Sequence, residues 1–171
     1  MSTLEETGGI NGARAPSLKL WQPWITVATA AFALHFTWEM LQAPLYVGMT
    51  GLRFGEGTRI CAVASLGDVV LALTAYGAVA AFAGRRAWLL RPTPGNIAAY
   101  LVLGLAVTAA IELLAVYRIG RWSYGPAMPR VAGIGLAPLL QWVVVPVLTL
   151  WVARRYLEYT ARRTRFGEHH G

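Results

Sequence analysis

The chain reads as an all-α, polytopic integral membrane protein, a bundle of four transmembrane helices. Three observations lead there. Of its 171 residues 56% are hydrophobic and only 13% are charged, about half the charge of a soluble domain. The charge that remains sits in short clusters between long apolar runs. Four of those runs reach the ~20 residues an α-helix needs to cross a ~30 Å hydrocarbon core.

The elements follow in order. Residues 1–20 are polar, glycine-containing and slightly acidic, with no apolar stretch of the kind a secretory signal carries, and read as a disordered cytoplasmic tail. A transmembrane domain is expected over 21–153. Its first span covers about 22–46, with Trp21 and Trp24 as interfacial anchors at the start and Tyr46 at the end. The second covers about 60–83 and stops at Gly84-Arg85-Arg86. The third, about 97–117, follows the helix-stopping run Arg91-Pro92-Thr93-Pro94-Gly95. The fourth, about 133–153, contains Pro138 and Pro146, and a kink is expected at each. Residues 154–171 form a basic cytoplasmic tail with inert terminal histidines. Small residues such as Gly67, Ala72, Gly104 and Ala109 let the middle spans pack closely in lipid. The two halves share no motif, which argues against an inverted-repeat transporter.

With four spans, the N-terminus, the loop between the second and third spans and the C-terminus lie on one side and hold ten basic residues, against five on the other. Basic residues stay on the cytoplasmic face, so both termini are expected in the cytoplasm of a bacterial inner (plasma) membrane. The formal net charge of +7 is therefore a signature of topology and lipid contact, not of nucleic-acid binding. A single cysteine, Cys61, excludes an internal disulfide and any multi-cysteine metal site.

Chemistry concentrates in His35-Phe36-Thr37-Trp38-Glu39-Met40-Leu41-Gln42. Positions 35, 39 and 42 share one helix face, and ionisable groups at membrane depth mark function. Glu39 lies about seven residues, roughly 10 Å, before the outer end of its span. Counting from the same side, Asp68 and Gln141 fall about eight residues into the second and fourth spans. Glu112 is a little shallower in the third. All four spans thus send a polar group to one layer near the non-cytoplasmic side. The loop from Arg118 to Pro126 lies above it, and an arginine dipping in would pair with Glu112 or Asp68 and keep it ionised. His35, one turn from Glu39, is expected within reach of its carboxylate as a proton relay. The candidate catalytic residues are His35, Glu39, Asp68, Glu112, Arg121 and Tyr124. Gln42, Arg118, Trp122 and Gln141 are the candidate substrate-binding residues. Taken singly, each acid is equally well read as polar glue between helices. A metal held by His35, Glu39, Asp68 and Glu112 would lack the second histidine and the Glu-x-x-His spacing of di-iron bundles. No metal or cofactor is assigned.

Two partial resemblances rest on these residues. Glu112, Gly120-Arg121-Trp122-Ser123-Tyr124, Pro129, Gly133, Pro138 and Trp142 resemble the last half of membrane carotenoid hydratase-type proteins. His35-x-x-x-Glu39 with a later intramembrane acid is similar to the sterol-isomerase (emopamil-binding) type, in which a histidine–glutamate pair and another carboxylate shuttle protons on a sterol. Each covers less than half the chain. As a whole, its Ala and Arg richness resembles that of small four-span membrane proteins of high-GC bacteria. The resemblances imply acid–base chemistry on a lipid or isoprenoid carbon skeleton, with Glu39 and Glu112 as proton donor and acceptor, and Arg121 and Tyr124 positioning them.

The expected function is therefore an intramembrane acid/base site acting on a lipid or isoprenoid, with membrane lipids as partners. Two other classes fit the same residues. One is a non-enzymatic lipid- or cofactor-binding or assembly subunit of a membrane complex. The other is a small proton-coupled carrier, which would need a homo-oligomer to build a path.

Overall fold

The computed structural model describes residues 19 and 21–168, with side chains through 163. The N-terminal tail, apart from Lys19, and the terminal histidines lie outside the described residues. Among the described residues four long helices make up the fold: α1 (Gln22–Gln42), α2 (Phe54–Phe82), α3 (Pro94–Leu114) and α4 (Leu136–Glu168). One short hairpin, β1 (Arg130–Val131) with β2 (Ile134–Gly135), precedes α4. The all-α expectation holds with that small addition. Ala132 and Gly133, at φ 51° and 83°, make its two-residue turn, the double positive φ of a type I′ connection.

Local chemistry accounts for the helix ends. Pro23 sits in the first turn of α1, where a missing N–H costs nothing. The Thr93 side chain accepts a hydrogen bond from the Asn96 N–H at 3.2 Å and caps α3 just ahead of Pro94. α2 closes at Gly84, φ 61°, with the Arg85 N–H bonded back to the Ala80 carbonyl at 3.1 Å. α3 runs into a π-helical turn, Ala115–Ile119, which ends at left-handed Gly120.

Among the described residues three of the four helices are long and apolar enough to cross a membrane: Phe54–Phe82, the stretch Pro94–Ile119 and Leu136–Arg163. That marks a membrane protein. The outward faces agree, with Val63, Val70, Phe82, Val102 and Ile111 exposed rather than packed inside. α1 has the length, at 21 residues, but does not join them. His35, Glu39 and Gln42 on one face lower its apolarity, along with Gln22 and its threonines. Boundaries also shift from the sequence expectation. α2 begins at Phe54, six residues before 60, because Glu56 and Arg59 occupy its first turns without breaking them. α4 continues through the basic stretch after 153, so the expected tail is a helix extension, clasped at its start by an Arg154–Glu158 pair at 2.7 Å. Pro138 falls in the first turn of α4 and removes no intrahelical bond; only Pro146 lies inside.

The helices form a ring in which α1 packs along α2 and α4, and α3 closes it against α4 and, most sparsely, α2. Away from the polar face, Trp88 is fully buried between Tyr76 and Tyr100 rather than placed at an interface. Its indole N–H donates to the Tyr76 carbonyl at 3.2 Å, and the Tyr76 hydroxyl donates to the Arg86 carbonyl at 2.9 Å. Trp142 packs in a smaller cluster with Ala31 and Ala72. It occupies the space above Gly104, where any Cβ would enter the indole ring.

Candidate functional site

The site is built around the amide of Gln141, near the start of α4 and 2% exposed. Its Nε2 lies 2.9 Å from His35 Nδ1, 3.2 Å from Glu39 Oε1 and 3.2 Å from Asp68 Oδ2. Its carbonyl oxygen accepts from Gln42 Nε2 at 3.2 Å. Gln42 also donates to Glu39 Oε1 at 2.7 Å and accepts from Trp38 Nε1 at 3.1 Å. Helical spacing on α1 therefore delivers His35, Glu39 and Gln42 to one partner, as positions 35, 39 and 42 predict.

An amide nitrogen has two hydrogens, yet three atoms able to accept surround this one. His35 Nδ1 and Asp68 Oδ2 also approach each other at 3.3 Å, so the direct contact of His35 with a carboxylate is made to Asp68. His35 reaches Glu39 only through Gln141, not by the direct contact expected.

Glu112, on α3, is held separately. Tyr124 donates to its Oε2 at 2.5 Å and Trp122 Nε1 donates to the same oxygen at 3.3 Å. Burial pushes the Tyr124 phenol above its ordinary range, and the hydrogen bond to the Glu112 carboxylate pushes it the same way, so it stays protonated and donates. The segment carrying both donors is pinned to the chain after α1. Val47 donates to the Ser123 carbonyl at 3.0 Å, Gly125 donates to the Leu45 carbonyl at 2.8 Å, and Tyr46 and Tyr124 form an isolated antiparallel bridge. Gly125 is required there, since a Cβ would lie 2.9 Å from the Leu45 oxygen. The expected arginine partner for an acid is not found. Among the described residues Arg154–Glu158 is the only arginine–carboxylate pair, and the other close contact of a basic side chain with an acid is His35–Asp68. Consecutive loop residues point in different directions, and Trp122 and Tyr124, not Arg118 or Arg121, reach the carboxylate.

A cavity of about 790 Å³ adjoins these groups, with a mostly apolar lining. Glu39, Gln42, Asp68, Glu112, Arg121, Trp122 and Gln141 all line it. His35 and Tyr124 do not; they stand behind Asp68, Gln141 and Glu112 and position them. Arg118 is exposed and off the wall. Sequence reasoning missed Tyr46, Arg59, Cys61 and Thr108, which also line the cavity. Cys61 and Thr108 carry one detectable signal, their place on the α2 and α3 faces one or two turns from Asp68 and Glu112. Among the described residues the Thr108 hydroxyl and the Trp142 N–H are buried without a hydrogen-bond partner. Among the described residues no group of three or more His, Cys, Asp or Glu side chains is disposed to hold a metal ion.

No family model, curated protein or solved structure matches the chain.

Proposed function

We propose that the chain is a four-span integral membrane protein of a bacterial inner membrane, with both termini cytoplasmic, that performs acid–base chemistry on a lipid or isoprenoid. α1 would be the fourth span, its polar face turned into the bundle, where intramembrane ionisable groups belong. The cavity then opens toward the non-cytoplasmic leaflet. The observation that carries the reading is the hydrogen-bonded cluster of Gln141, Glu39, Asp68 and His35 at the wall of a largely apolar cavity. A carboxyl in such surroundings gives up or takes a proton according to its partners. Glu39, on one side, and Glu112, on the other, serve as donor and acceptor. Between turnovers water in the cavity returns the proton from Glu112 to Glu39 by way of Asp68 with His35, and Tyr124 and Trp122 hold Glu112. A double-bond shift adds one proton and removes another, so two acids complete it without an oxidant or reductant.

The test compares lipid extracts of a strain lacking the chain with the same strain carrying wild type, Glu39→Gln or Glu112→Gln. Wild type should convert one lipid species into an isomer or hydrate, and both variants should insert and fold normally yet leave the precursor unchanged. Full conversion by both variants would end the catalytic reading. The competing reading, a lipid-binding or assembly subunit, draws on the unpartnered Thr108 hydroxyl and Trp142 N–H, which a bound ligand would satisfy. It predicts a co-purifying lipid with no chemical change in the extract.

A further inference from the structure

The chemistry proposed above leaves two cations of the same cavity unused. Arg59, in the second turn of α2, and Arg121, after the π turn of α3, both line it. Neither forms an ion pair with any of the described residues, although Glu39, Asp68 and Glu112 line the same space. A guanidinium presents a planar fork of donors that matches a phosphate or carboxylate. Two of them on the wall of one cavity, with acids already committed to amide, indole and phenol donors, suit an oxyanion rather than an internal ion pair.

The rest of the wall says what is attached to that oxyanion. Ile60, Val63, Ala64, Leu71 and Ile111 supply apolar surface from α2 and α3. Those two helices make the sparsest contact of the ring. Val63, Ala64 and Ile111 are solvent-exposed in the isolated chain, so the cavity reaches the outer surface beside α2 and α3, where lipid chains would run.

We infer that the cavity binds an anionic amphiphile, with its phosphate or carboxylate head between Arg59 and Arg121 and its hydrocarbon chain lying along the α2–α3 cleft. This rests on the acid–base reading of the same site and narrows its substrate class. It also places the chemistry. Nine residues separate Arg59 from Asp68, roughly 13 Å of helix rise, so the groups that meet the Glu39–Asp68–Gln141 cluster belong to the chain of the ligand and not to its head.

The experiment titrates the full-length protein, in maltoside micelles, with dodecyl phosphate, dodecanoate, dodecanol and inorganic phosphate, reading affinity by calorimetry. Wild type should bind dodecyl phosphate or dodecanoate saturably, and which of the two binds tighter identifies the head. Dodecanol, which has the tail without the anion, and inorganic phosphate, which has the anion without the tail, should each bind at least about tenfold more weakly. Arg59→Gln and Arg121→Gln should each weaken the better anion about tenfold and leave dodecanol unchanged, while Arg59→Lys loses less. Equal wild-type affinity for dodecanol and both anions would overturn the inference, and that comparison needs no variant to fold. Unchanged anion affinity in both glutamine variants would overturn it too. Glu39→Gln separates the two readings: if it retains anion binding while wild type transforms no lipid, the acid–base reading falls and the receptor stands.

Discussion

Replacing Gln141 by leucine removes the group that three titratable side chains share, and the structure bounds the cost. Of the contacts at Nε2, two can be hydrogen bonds at once, and the carbonyl accepts a third from Gln42. At ~0.6–2 kcal/mol for a hydrogen bond between membrane helices, three losses sum to about 2–6 kcal/mol. Glu39 and Asp68 face the cavity, where water can replace part of what they lose. His35 is fully buried and keeps only Asp68. The net loss should therefore fall near the lower half of that range, about 2–4 kcal/mol. The assay is reversible unfolding by SDS titration of the protein in mixed micelles, followed by tryptophan fluorescence. Gln141→Glu sharpens the test, because it replaces two N–H donors with an acceptor and regains a donor only by taking up a proton. Its folded state binds a proton that the unfolded chain releases, so its stability should recover as pH falls from 8 to 5, whereas that of Gln141→Leu should not recover through this group. If Gln141→Leu is as stable as wild type, or Gln141→Glu shows no more recovery at low pH than Gln141→Leu, the amide is not the hub of the cluster.

Two further outcomes follow from packing and from the loop. Gly104→Ala places a methyl inside the Trp142 ring, and overpacking of that kind costs about 1–3 kcal/mol; the same SDS titration should show it, with an altered Trp142 emission. Tyr124 is held protonated in the fold, so above the ordinary phenol range, near pH ~10, the unfolded chain loses a proton that the folded chain keeps, and stability falls as pH rises. Tyr124→Phe should make the alkaline loss of stability shallower than in wild type, and parallel unfolding curves from pH 9 to 11 would show that the Tyr124–Glu112 bond does not persist.

Much of the site is legible in the residues because helices convert spacing into position. His35, Glu39 and Gln42 fall on one face by periodicity alone, and counting residues inward from the loops brings Asp68 and Gln141 to the same level. Their partners are less legible. Nothing in the spacing distinguishes His35 bonded to Glu39 from His35 bonded to Asp68, since that choice depends on the rotation of α2 about its axis. In the loop, Arg121, Trp122 and Tyr124 are near neighbours, and charge alone favours the arginine as the partner of Glu112. The Tyr46–Tyr124 bridge and the close approach at Gly125 turn the phenol inward instead. Helix limits differ from the sequence expectation at Phe54 and after residue 153 for a common reason. Apolarity records what a segment buries in lipid, while backbone hydrogen bonding continues through Glu56, Arg59, Arg154 and Arg155.

The Gln141 amide has one more consequence. It touches an imidazole and two carboxylates, yet an amide keeps its two hydrogens at ordinary pH and neither takes nor passes on a proton. It joins these groups mechanically while insulating them electrically. His35 and Asp68 approach each other directly, whereas the amide offers no proton path from either to Glu39. It thus sets how an imidazole and two carboxylates sit relative to one another without itself linking them as proton carriers.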